Sequence, residues 1–106
     1  MTEELIVNVN DNDIEETLKG EEVVLLDCFA QWCHPCRTLA PILHDVAAHL
    51  QGRVRFAKLD IDKNQVSAKT YGVTSVPTLI LFKNGKEVNR LVGLRDSAAI
   101  QEFALS

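Results

Sequence analysis

Apolar and polar positions change rhythm several times along this chain, and each change marks an element. Leu5 to Val9 is a short apolar run of strand length. Asn10 or Asp11 can cap a helix that runs to about Lys19, where Gly20 ends it. Val23 to Phe29 is apolar apart from Asp27, which suits a central strand buried on both faces. A helix then starts near Cys33. Leu39, Ile42, Leu43, Val46, Ala47 and Leu50 recur at helical spacing and form its buried stripe, Pro41 is expected to kink it, and Gly52 closes it.

Arg53 to Leu59 reads as a second central strand. Asp62 or Asn64 can cap a short helix to Tyr71, with Gly72 as terminator. Thr78 to Phe82 and Glu87 to Val92 are strands joined through Asn84-Gly85, a pair that tolerates positive φ and favours a tight hairpin. Asp96 or Ser97 caps a last helix to about Leu105. The order β-α-β-α-β-α-β-β-α predicts an α/β fold. Parallel neighbours arise from the helical crossovers, the hairpin adds an antiparallel edge, and helices cover both faces.

Composition narrows the function. The chain has 106 residues, enough for one domain over residues 1–106 with one core. Eleven basic and fifteen acidic side chains leave a net charge of −4 with no basic cluster, which argues against nucleic acid and anionic membranes as partners. No apolar run approaches the length of a bilayer span. The start, Met1-Thr2-Glu3-Glu4, carries no basic region or signal-peptide core, so a soluble cytoplasmic protein is expected. Three cysteines are an odd count, which excludes a disulfide-stapled secreted scaffold and fits one redox pair plus a leftover thiol, Cys28.

The pair is Cys33 and Cys36 in Trp32-Cys33-His34-Pro35-Cys36, where the apolar run gives way to helix. Unpaired amides and aligned peptide dipoles make a helix N-terminus partly positive, which favours a thiolate at Cys33, the nucleophilic form in disulfide exchange. The spacing also lets Cys36 close a short disulfide with Cys33. A structural zinc site would need a second ligand pair, and His44 and His49, five residues apart, do not share a helix face. Three cysteines are too few for an iron–sulfur cluster. Asp60-Ile61-Asp62-Lys63-Asn64 opens like a calcium loop, but Gln65 and Tyr71 stand where such a loop needs Gly and Glu. Asp27, inside a buried run, should have a raised pKa, as a proton acceptor beside the thiols requires. Cys28, its strand neighbour, points to the other face and reads as core.

With these residues in place, the chain resembles the thioredoxin family along nearly its whole length. The resemblance rests on Ala30 to Arg37, Ala40-Pro41, Ala57 to Asp62, Val76-Pro77-Thr78, Phe82-Lys83-Asn84-Gly85 and Gly93. It implies a thioredoxin fold, a mixed sheet between helices, and protein disulfide reduction without metal or organic cofactor. It implies Cys33 as exposed nucleophile, Cys36 as buried resolving thiol, Asp27 as the acid that deprotonates Cys36, and Lys58 as its charged neighbour. Pro77 matches a cis proline beside the disulfide; together with His34 and Pro35 it belongs to the residues that tune the pair. Trp32, Val76 and Gly93 match the rim of the substrate groove, where Val76 can offer its backbone N–H and C=O to an extended chain. Disulfide-bearing proteins are the implied substrates, thioredoxin reductase the implied electron donor, and a monomer the implied state.

Three positions depart from the pattern: His34 and Ser75 each replace Gly, and Cys28-Phe29 replaces a bulkier aromatic pair. A protonated His34 near the Cys33 sulfur would raise the reduction potential. Two other readings remain at this level: a disulfide oxidant or isomerase, since His34 can stabilise the reduced form, and a binding module that uses the groove without turnover.

Overall fold

A computed structural model describes residues 5–20 and 22–106. The reading of Met1 to Glu4 as a start without a targeting signal lies outside the described residues. Five strands and four helices follow in the expected order: β1 (Ile6–Val9), α1 (Ile14–Leu18), β2 (Val23–Phe29), α2 (His34–His49), β3 (Arg55–Asp60), α3 (Gln65–Thr70), β4 (Thr78–Lys83), β5 (Lys86–Val92) and α4 (Ser97–Ala104). The strands form one sheet in the order β1-β3-β2-β4-β5. The β1–β3 and β3–β2 pairs are parallel, and the β2–β4 and β4–β5 pairs antiparallel. Asn84 and Gly85 both take positive φ, 54° and 78°, in the hairpin turn.

β2 lies at the centre, so both its faces are covered, and alternation sends successive side chains to different layers. On one face Leu25 packs with Phe56, Leu79 and Leu81 of neighbouring strands, Leu39, Leu43 and Val46 of α2, and Ile100 and Phe103 of α4. On the other, Val24, Leu26 and Cys28 pack with Leu59, Ile80 and Phe82 and with Ile14 and Leu18 of α1. Tyr71, just past α3, stacks edge-on against Phe82 with centroids 5.6 Å apart. The helices therefore sit on both faces, as the pattern implied.

The first helix differs from expectation. α1 has five residues, and neither Asn10 nor Asp11 caps it; Asp13 holds the cap position without a side-chain bond to the helix. Asn10 Oδ1 instead accepts the Asn12 and Asp13 amides (2.8 and 3.1 Å), closing a local turn that competes with helix. The Asp11 carboxylate leaves the helix altogether and accepts the Ser67 amide at 2.8 Å, fifty-six residues away. This bond lies in the first turn of α3, whose own cap residue Asn64 makes no side-chain cap bond. Asn64 Oδ1 accepts the Asp11 amide at 2.9 Å, and its Nδ2 donates to the Asp60 carbonyl at 3.0 Å. The cap of α3 is thus supplied across the fold, by a side chain assigned from sequence to another helix.

Candidate active site

Ala30 ends the buried run of β2, and the chain turns so that Cys33 N–H donates to the Ala30 carbonyl at 3.2 Å. Cys33 is the N-cap residue of α2, with extended backbone, and its Sγ accepts the Cys36 amide at 3.2 Å. Capping uses a side-chain acceptor to satisfy an amide the helix leaves free; here the acceptor is sulfur. Pro35 sits in the first turn, where a missing N–H costs no helical bond. Cys33 and Cys36 are joined by a disulfide, with Cα atoms 5.3 Å apart. The expected contrast between an exposed Cys33 and a buried Cys36 is absent: they are 3% and 6% exposed. Both cysteines belong to a small buried cluster with Ala30, against which Phe29, Ile61 and Val76 pack. What distinguishes the two thiols is the helix, since Cys33 precedes it and receives an amide while Cys36 lies inside its first turn.

Trp32 and His34 flank Cys33 and are exposed, Trp32 at 68%. The Trp32 indole Nε1 donates to Asp62 Oδ2 at 2.8 Å, and Arg37 Nη1 donates to the Gln31 carbonyl at 2.9 Å. Asp60 Oδ1 in turn accepts the Asp62 amide at 3.0 Å. The two acids of the rejected calcium loop thus serve as a turn acceptor and an anchor for the tryptophan. Sequence reasoning missed Asp62 as a site residue. Its position was the available signal, since the C-terminal ends of parallel strands are where α/β sheets place their sites.

Asp27 is 6% exposed and its Oδ1 has no hydrogen-bond partner. Burial pushes its pKa up to about 7, partly offset by the Lys58 charge. Register explains that partner, because Asp27 lies opposite Lys58 across the β2–β3 pair and both point to the α2 face. On that face Leu25 packs in one cluster with Leu39, and Phe29 packs against the small cluster of Ala30, Cys33 and Cys36. Asp27 lies between Leu25 and Phe29 on that same face of β2. Cys28 faces the other way, fully buried, and burial raises its pKa to about 12.

The third part of the site comes from the segment that enters β4 and the glycine that follows β5. The Val76–Pro77 peptide is cis, as the resemblance implied. The neighbouring carbonyls are occupied: Thr78 Oγ1 donates to Ser75 O at 2.7 Å, and Gly93 N–H to Pro77 O at 2.9 Å. Among the described residues Val76 has no backbone partner. Gly93 has φ of 99°, a left-handed conformation that side chains resist, and this brings its amide onto Pro77. Cys33, Cys36, Trp32, His34, Val76, Pro77 and Gly93 thus share one end of the sheet, with Asp27 and Lys58 in the layer below.

Among the described residues no helix is long and apolar enough to cross a membrane. The thioredoxin family model matches residues 5–106. A thioredoxin of Pseudomonas aeruginosa is 43% identical over 101 residues, covering 94% of each chain. One of Chlamydia pneumoniae is 57% identical over 74 residues, 70% of this chain and 72% of that protein. The solved structure of a mutant thioredoxin from Halobacterium salinarum NRC-1 superposes with a TM-score of 0.85 at 37% identity, covering 93% of this chain and 87% of that one. A five-stranded mixed sheet, a Cys33–Cys36 disulfide at a helix start and these likenesses agree: the chain belongs to the thioredoxin family and is a thiol–disulfide oxidoreductase, a protein disulfide reductase.

Proposed function

We propose that residues 1–106 act as one monomeric unit that reduces disulfides in proteins, with Cys33 as nucleophile, Cys36 as resolving thiol and Asp27 as proton acceptor. The observation that carries this assignment is the Cys36 amide on Cys33 Sγ at the head of a sixteen-residue helix. An amide and a helix N-terminus aimed at one sulfur stabilise its thiolate.

In the reduced protein the Cys33 thiolate attacks one sulfur of the substrate disulfide. A Cys33–substrate bond forms, the substrate S–S bond breaks, and the departing sulfur leaves as a thiolate that takes a proton from water. Cys36 then gives its proton to Asp27 and attacks the Cys33 sulfur. The second substrate sulfur leaves with the bonding pair, and Cys33–Cys36 closes. Two electrons have passed to the substrate. An acid with a pKa of about 7 suits the second step, because at neutral pH a large fraction is ionised and able to accept. Lys58 favours that ionised form from the neighbouring strand, against the effect of burial.

The substrate lies extended across Trp32, Val76 and Gly93, using the Val76 N–H and C=O as an added strand would. His34, Pro35 and Pro77 border the sulfurs and set their potential. No metal or organic cofactor takes part. A thioredoxin reductase returns two electrons to the disulfide, in the reducing cytoplasm where such a dithiol works.

Brief iodoacetamide treatment of the reduced protein near pH 7, followed by mass spectrometry, should label Cys33 first. Cys36→Ser should trap mixed disulfides through Cys33. Preferential labelling of Cys36 would reverse the two roles.

A further inference from the structure

A short bulge in β5 brings together two charged side chains that a regular strand would hold apart. Residues three apart on a strand point to opposite faces. The β4–β5 register shifts between Leu81 and Phe82: Arg90 pairs with Ile80, Asn89 with Leu81, and Glu87 with Phe82, which leaves Val88 as the extra residue. Ile80 and Phe82 both face the α1 and α3 layer, so Glu87 and Arg90 now lie on that same face. There they form a two-pronged ion pair, Nε to Oε2 at 2.8 Å and Nη2 to Oε1 at 2.7 Å. A bidentate arginine–carboxylate pair fixes the plane of the guanidinium.

The rest of the guanidinium reaches away from β5. Nη2 donates to the Tyr71 carbonyl and Nη1 to the Gly72 carbonyl at 3.1 Å, where the chain leaves α3. From there residues 72–77 run to Val76 and the cis Pro77. The far end of this loop is tied to the same strand side, through Gly93 N–H on Pro77 O at 2.9 Å. β5 and the glycine after it therefore hold both ends of the segment that carries Val76. Tyr71, whose carbonyl takes part, is itself fixed on Phe82 by its ring. The pair holds Glu87 below the usual carboxylate range and raises Arg90 above its ordinary value, as two mutually satisfied charges should be.

We propose that Arg90, braced by Glu87, is a positioning residue for the Val76–Pro77 edge, and so sets affinity for protein substrates without touching the sulfurs. This rests on the reading of Val76 as part of the substrate groove. Small disulfides need no groove, so their reduction should not depend on Arg90. For Arg90→Ala the KM for insulin should rise about three- to tenfold with kcat nearly unchanged, while the rate with the small aromatic disulfide 5,5′-dithiobis(2-nitrobenzoate) and the reduction potential stay as they are. Arg90→Lys keeps the charge but loses the fork, so its KM should fall between. Glu87→Gln, which removes only the brace, should raise KM in the same direction and guards against a poorly folded Arg90→Ala.

Val76→Asp separates the two readings. If Val76→Asp raises the insulin KM and folded Arg90→Ala and Glu87→Gln do not, the role of Arg90 is refuted and the groove stands. If none of the three changes KM, the groove reading itself is wrong and the inference goes with it. Equal losses toward insulin and the small disulfide would make Arg90 merely structural and would also overturn it.

Discussion

At Asp27 a single side chain links burial, protonation and turnover. Its pKa is about 7 in the folded protein against an ordinary value of 3.8, so between those values the folded state binds more protons than the unfolded one. Stability must then fall as pH rises through that window. At ~1.4 kcal/mol per pH unit the loss is bounded at about 4 kcal/mol, and Asp27→Asn should escape it. Urea titrations of the oxidised protein should show the variant gaining on the parent from pH 4 to pH 8. Insulin reduction should slow in the same variant, mainly at resolution; full activity of Asp27→Asn from pH 6 to 8 would remove Asp27 from the mechanism. His34 is a weaker lever than its place beside Cys33 suggested. It is exposed, so water screens it. At ~6 Å and a dielectric near 80 its charge contributes about 0.7 kcal/mol, or roughly 15 mV for a two-electron couple. His34→Gly should therefore make the potential more negative by no more than about that amount. Equilibration with glutathione measures it, and identical potentials would assign His34 to substrate contact alone.

Among the elements, helix ends show where local reading succeeds and where it stops. Asp96 caps α4 as expected, its Oδ1 accepting the Ala99 amide at 2.9 Å. Asp96→Ala should cost about 1 kcal/mol in chemical denaturation. Asp11 looks just as good a cap from sequence, yet it serves α3 instead of α1. The Ser67 hydroxyl, and after it the Ser67 and Val66 amides, hold its carboxyl below the ordinary value, so its contribution is present at neutral pH and is lost as pH falls through that lowered value. Asp11→Ala should speed hydrogen exchange at the Ser67 amide and leave α1 amides unchanged; the reverse pattern would restore the local reading. The difference is physical. A cap within three residues is a property of the local chain, whereas an acceptor fifty-six residues away exists only once α1 and α3 lie on the same face of the sheet. The same holds at β5, where the pairing of Glu87 with Arg90 on one face depends on a bulge that no residue type announces.

For the whole molecule, the two layers around β2 separate function from stability. The α2 face carries Asp27 and leads to the thiols, while the α1 and α3 face carries Cys28 in packed hydrocarbon. Cys28 should therefore resist alkylation in the native protein and react only as fast as the molecule unfolds globally. Labelling rates across a urea series should track unfolding measured by fluorescence, and fast native labelling of Cys28 would mean that this face opens on its own. Much of this architecture is legible in the chain. Apolar runs and helical spacing dictate the order of elements, because buried strands and one-sided helices leave different periods. Asn84-Gly85 dictates the hairpin through its tolerance of positive φ. Trp32 to Cys36 points to the redox pair, because a helix start favours the thiolate that disulfide exchange needs and the sequence offers no second ligand pair for a metal. Asp27 stands out as a charge in an apolar run. What the sequence leaves open is everything that depends on which elements become neighbours: the burial of Cys33 as deep as Cys36, Asp62 on Trp32, Asp11 on α3, and Arg90 on the loop before Val76. Those contacts join residues whose separation along the chain carries no periodic signal, and only the closing of the sheet and its helices brings their polar groups within bonding distance.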